Sequence, residues 1–116
     1  MIEKMIAYAK TLHSEYEFLH GGCYAFAKAL SQIFCGDILV NREQEHCITK
    51  INNVCYDIQG VVRNTTGYHS FRPKEESRIQ KEYFIISTEY TNVLIDKLLD
   101  FGTKNNLYKL EDKNNE

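Results

Sequence analysis

Asn52-Asn53 constrains this chain more than any other dipeptide in it. It lies between two β-rich runs, residues 45–51 and 54–59. A two-residue hairpin loop of the favoured type needs positive φ at both positions, and asparagine tolerates it. The pattern therefore predicts two antiparallel strands joined by a tight turn. Register follows by counting outward: Ile51 pairs with Val54, Ile48 faces Asp57, and His46 faces Gln59. Paired residues share a face of the sheet, and every second residue returns to it. His46, Ile48, Asp57 and Gln59 then lie on one face, with His46 and Asp57 as diagonal neighbours about 7–8 Å apart at the backbone. A loop one residue longer or shorter sends them to opposite faces.

Periodicity supplies the flanking elements. Ile2, Met5, Ile6, Ala9, Leu12 and Tyr16 recur at three and four, which predicts a first helix over 2–18. Gly21-Gly22 interrupts it. Cys23, Phe26, Ala27, Leu30 and Phe34 form the apolar stripe of a second helix over 23–35, with Gly36 as its stop. Ile38-Leu39-Val40 reads as a short strand.

Beyond the hairpin, Gly60 is expected to end the strand, and residues 61–82 are irregular, with a charged surface helix from Lys74 to Glu82. Tyr83–Ile86 reads as another strand. Ser87 or Thr88 caps a last helix over 89–101, with Leu94, Ile95, Leu98 and Phe101 inward and Gly102 at its end. The fold class expected is α+β: N-terminal helices packed on a small antiparallel sheet, then a C-terminal helix. Residues 1–110 form one domain, and 111–116 are a polar tail read as disordered.

Composition removes some function classes. Fourteen basic residues stand against sixteen acidic ones, so no electrostatic footprint for nucleic acid is expected. No apolar run approaches the roughly 20 residues of a membrane helix. Met1–Met5 opens without the apolar region of a signal peptide, so the chain is read as cytoplasmic. Its four cysteines, Cys23, Cys35, Cys47 and Cys55, are then not expected to form a disulfide framework. They include no C-x-x-C pair, so neither a zinc site nor any other cofactor is expected.

The chemistry concentrates in residues 21–59. Cys23 opens a helix directly after Gly21-Gly22. A free thiol has a pKa of about 8.5, and a helix N-terminus or a neighbouring imidazolium favours the thiolate. His46 is placed to act as general base and later to protonate a leaving group. Asp57 is placed to bond the other ring nitrogen and fix the tautomer. The Cys23 backbone N–H, with a side chain from Gln59 or His20, is the candidate oxyanion site. Gly21 and Gly22 are expected to let a substrate backbone approach. Each residue also has an ordinary role open to it: Cys23 lies on a core-facing stripe, His46 suits an edge strand, and Asp57 suits a solvated turn. Cys55 is the rival thiol on the His46 face, while Cys35 and Cys47 are read as structural.

The stretches GGCYAFAKAL, EHCITKI and VCYDIQG resemble the minimal core of papain-like and transglutaminase-like cysteine enzymes. They are also similar to small bacterial and phage proteins with a Cys-bearing helix followed by a His–Asp hairpin. The resemblance implies Cys23 as nucleophile, His46 as base and Asp57 as orienting acid. It covers about 40 of the 116 residues. Transglutaminases usually carry an aromatic two residues after the histidine, where this chain has Ile48. Papain relatives carry a glutamine shortly before the cysteine, where it has Glu17-Phe18-Leu19-His20.

The activity expected is that of a small thiol hydrolase or acyl transferase acting on an amide or isopeptide-like bond of a protein or peptide. The alternative is a non-catalytic protein-binding module on the same scaffold, such as a phage-type inhibitor of a host factor. That module would use the surface around Tyr68, His69, Phe71 and Arg72.

Overall fold

The computed structural model describes residues 2–19, 21–82 and 88–107. Its elements run α1 (Ile2–Leu12), α2 (Glu15–Leu19), α3 (Cys23–Phe34), β1 (Asp37–Asn41), β2 (His46–Ile51), β3 (Val54–Asp57), β4 (Gly60–Val62) and β5 (His69–Ser70). A single 3-10 turn (Pro73–Glu75) then leads into α4 (Glu76–Glu82), and α5 (Thr88–Lys104) follows. The strands form one antiparallel sheet in the order β4-β3-β2-β1-β5. This is the expected α+β class, with helices on a small antiparallel sheet and a C-terminal helix. Among the described residues, no helix is long and apolar enough to cross a membrane.

The hairpin register is as counted from the sequence. Asn52 and Asn53 take φ of 49° and 68°, both left-handed, and Ile51 pairs with Val54. Thr49 pairs with Tyr56, which puts Ile48 beside Asp57. The second strand is shorter than expected. It ends at Asp57, Ile58-Gln59 make another two-residue loop, and Gly60 starts β4 instead of ending β3.

α3 is the central element, packed against β2 on one side and α5 on the other. Nine of its twelve residues are buried, so it is apolar nearly all round. Ala25, Ala29, Leu30, Ile33 and Phe34 join Met5 and Ala9 of α1 and Leu94, Ile95 and Leu98 of α5 in the larger core. Each large apolar side chain buried there contributes about 1.5–3 kcal/mol. A smaller cluster under α4 holds Cys23, Tyr24, Ala27, Val40, Cys47 and Ile79.

The helix boundaries differ from the periodic reading in two places. The expected first helix is two helices, because Ser14 and Glu17 form a reciprocal cap. The Glu17 N–H donates to Ser14 Oγ at 3.2 Å, and the Ser14 N–H donates to Glu17 Oε1 at 3.0 Å. The new helix axis leaves Tyr16 65% exposed, off the apolar stripe. Gly102 does not end α5, which continues to Lys104. A Cβ at Gly102 would stand 2.8 Å from Ile33 Cδ1, so glycine serves there for close approach of α5 to α3. The strand expected over 83–86, a cap at Ser87 and the tail 111–116 lie outside the described residues.

Candidate functional site

The site is assembled where the N-terminus of α3 meets the start of β2. The β1–β2 connection delivers His46 there. Asn41 is buried, and its Oδ1 accepts the Gln44 N–H at 3.0 Å, which ties the loop. Glu45 then takes a left-handed φ of 52° immediately before His46. The Glu45 carbonyl oxygen lies 3.9 Å from Cys23 Sγ.

His46 and Asp57 meet across the hairpin diagonal, with His46 Nε2 3.0 Å from Asp57 Oδ2. Their side chains are only 12% and 11% exposed. The other Asp57 oxygen accepts the Gln59 N–H at 2.8 Å, so the carboxylate is held at both ends. The Cys23 sulfur stands beside the residue that precedes His46, and Cys23 and His46 shift each other's titration.

These contacts set the charges. The Cys23 thiol is pulled down to about 5. The neighbouring Cys47 thiol does most of this against the opposing effect of burial, and His46 adds to it. Burial pushes His46 down, but Asp57 and Cys23 together hold it up at about 9. The two shifts, Cys23 down and His46 up, both favour a thiolate–imidazolium pair. The position of Cys23 in the first turn of α3 acts in the same direction.

Cys47, expected as a structural residue, lies in the same buried cluster as Cys23. Strand alternation puts it on the sheet face opposite His46, and that face is the one α3 covers. It is 1% exposed and raised well above the ordinary thiol range, chiefly by the neighbouring Cys23 and by burial. Strand parity located the face. The helix docking that brings two cysteines together has no signature within either segment.

A cleft of about 360 Å³ opens beside the pair, and its lining includes His46, Asp57, Gln44, Gln59, Asn64 and Tyr68. Gln59 is exposed in the Ile58-Gln59 turn and contributes to this rim. Tyr68 is half-buried. Burial and the negative charge of Asp57 push its hydroxyl up to about 12, so it remains a proton donor at the cleft wall. Cys23, 3% exposed, is not part of the lining.

Other candidates stand elsewhere. Gly22 is buried against α2 and is not part of the lining of that cleft. Its N–H donates to the Glu17 carbonyl at 2.8 Å, and a Cβ there would meet Glu17 O and Phe18 Cδ1 at 3.3 Å. It lets α2 and α3 join closely. His20 lies outside the described residues. Cys55 lines a different cleft, with Lys50 and Arg63. His69 is bonded to Glu75 at 3.0 Å. Among the described residues no three of His, Cys, Asp and Glu converge as a metal site.

Fold and site together define a small α+β domain in which a cysteine at a helix start meets a histidine–aspartate pair carried by a hairpin. The chain belongs to the phage YunG-like family: the family model described as Phage YunG-like protein matches residues 1–100, a span that contains the whole site. No curated protein and no solved structure matches the chain.

Proposed function

We propose that this protein is a thiol-dependent acyl transferase or hydrolase that works in the manner of papain-like and transglutaminase-like enzymes. One observation carries the reading: Asp57 holds the His46 imidazole at 3.0 Å, and the Cys23 sulfur lies 3.9 Å from the carbonyl oxygen of the residue just before that histidine. In the proposed reaction the Cys23 thiolate attacks the carbonyl carbon of an amide. His46, already protonated, gives its proton to the leaving amine. Asp57 keeps the imidazole oriented throughout. Water or a second amine then takes the acyl group from sulfur, with His46 as base. The negative oxygen of the tetrahedral intermediate would be met by the Cys23 backbone N–H and a rim donor, either the Tyr68 hydroxyl or the Gln59 carboxamide. A cleft rimmed by carboxamides and a phenol suits a neutral peptide or side-chain amide.

The test is covalent labelling of Cys23 by a small electrophile, followed by mass spectrometry. The expected result is rapid labelling at neutral pH that slows at least tenfold in His46→Ala, where the ion-pair partner is lost. Equal rates in the two proteins sink the proposal.

A second reading is favoured by the 3% exposure of Cys23 and its absence from the cleft lining. It is a non-catalytic module that binds a host protein, with the polar core serving stability. In that case Cys23→Ala retains partner binding, whereas substitutions at Tyr68 and Arg72 remove it. Loss of binding by a folded Cys23→Ala protein would count against it.

A further inference from the structure

Cys23 and Cys47 come from different elements and are brought into one buried cluster by the docking of α3 on β2. The Thr49 hydroxyl donates to the Ala27 carbonyl at 3.0 Å, so a strand side chain touches the helix backbone directly. Stepping back four residues along a helix covers about 6 Å. Stepping back two along a strand covers about 6.6 Å. The anchor at Ala27 and Thr49 therefore sets Cys23 over Cys47. Both sit in the same apolar cluster, at 3% and 1% exposure, and each shifts the titration of the other. A disulfide between them requires Cα atoms about 4.4–6.8 Å apart.

We propose that Cys23 and Cys47 form a reversible redox pair, in which Cys47 resolves oxidation of Cys23 by a hydroperoxide into an intramolecular disulfide. In the first step the Cys23 thiolate attacks one peroxide oxygen. The O–O bond breaks, hydroxide or an alkoxide leaves, and the sulfur becomes a sulfenic acid. In the second step the Cys47 sulfur attacks the Cys23 sulfur. The S–O bond breaks, and the thiol proton leaves with the hydroxyl as water. The peroxide is reduced by two electrons and the two thiols are oxidised together. A dithiol reductant restores both.

The pair has the attributes such chemistry needs. The thiol to be attacked is shifted toward the anion, and the resolving thiol lies in the same buried cluster. The other two cysteines are excluded by position. Cys35 lies at the far end of α3, about 18 Å along the helix axis from Cys23. Cys55 lies on the sheet face away from α3, two positions from the hairpin turn. Disulfide formation would withdraw the thiolate from any acyl chemistry and protect it from irreversible oxidation. The inference requires a thiolate at Cys23 but not acyl transfer, so it stands apart from the proposal above.

Trypsin separates all four cysteines, since Lys10, Lys28, Arg42, Lys50 and Arg63 bracket them one by one. The experiment treats the full chain with hydrogen peroxide, with and without later dithiothreitol. A Cys35→Ser protein is run in parallel to remove the exposed thiol. The expected product is a protein lighter by two hydrogen atoms, whose digest joins the Cys23 and Cys47 peptides and is separated again by dithiothreitol. In Cys47→Ser, Cys23 should instead accumulate as sulfinic acid at several-fold the wild-type level. Circular dichroism confirms that this variant is folded, and the wild-type cross-link needs no variant. The proposal is overturned if peroxide leaves both thiols reduced, if the bridge joins any other pair, or if wild-type Cys23 reaches sulfinic acid as fast as in Cys47→Ser. Electrophile labelling of the reduced protein reads the acyl-transfer proposal separately.

Discussion

Asp57 holds His46 through one carboxylate oxygen at 3.0 Å and the Gln59 N–H through the other at 2.8 Å. The aspartate is thus fixed by its own turn before it orients the imidazole. Replacing it with the isosteric amide keeps the shape and removes the charge. Asp57→Asn should lower the His46 titration midpoint from about 9 by at least about one unit, read from its ring proton shifts by NMR. An unchanged midpoint would show that Cys23 alone holds the proton on His46.

The ion pair predicts an unusual pH profile. Folding depresses the Cys23 pKa, so its stabilisation is complete above the ordinary thiol value of 9.0 and is lost as pH falls through about 5. Folding raises that of His46, so its stabilisation is complete below 6.5 and is lost as pH rises through about 9. Between about 5 and 9 both are charged. Labelling of Cys23 should therefore stay on a plateau down to pH 6, where a free cysteine is almost wholly protonated. A rate that climbs tenfold per unit from pH 6 to 8 contradicts the pair.

The hydroxyl that keys helix to strand can be removed without changing volume. Thr49→Val takes the buried hydrogen bond from the Ala27 carbonyl and should cost about 0.5–1.5 kcal/mol in urea unfolding. It should also slow bridging of Cys23 to Cys47 under peroxide, because the anchor between their elements is loosened.

Gly102 offers a test of packing against propensity. Alanine improves the helix by about 1 kcal/mol. Its Cβ, however, meets Ile33 Cδ1 at 2.8 Å, and overpacking costs about 1–3 kcal/mol. Gly102→Ala should therefore destabilise in the wild-type background. In an Ile33→Val background, which lacks that methyl, the same change should be neutral or stabilising. A double-mutant cycle measured by denaturation reads the coupling.

How much of this could be read from the chain depended on the range of the interaction. The hairpin was legible because Asn52-Asn53 and period-two alternation act within twelve residues, and they place His46 against Asp57. α3 was legible from its apolar stripe. The split between α1 and α2 was hidden because the stripe runs on through Ser14, although the Ser14–Glu17 cap was present as a local signal. β4 and β5, three and two residues long, are too short for alternation to register. Gly102 read as a stop because glycine usually ends a helix, whereas here contact with Ile33 outweighs that preference. Cys47 and Tyr68 became part of the site only through docking of α3 and folding of the 64–68 turn, which are tertiary events.

Cys35, at the exposed C-terminal cap of α3, has one more consequence. Any reagent added to this protein meets a solvent-facing thiol and the site thiol in the same molecule, at equal concentration and for equal time. The ratio of adducts at the two positions is then an internal standard. It cancels reagent decay, protein quantity and instrument response. Selectivity for Cys23 becomes a number obtained from one spectrum, and each variant carries its own calibration.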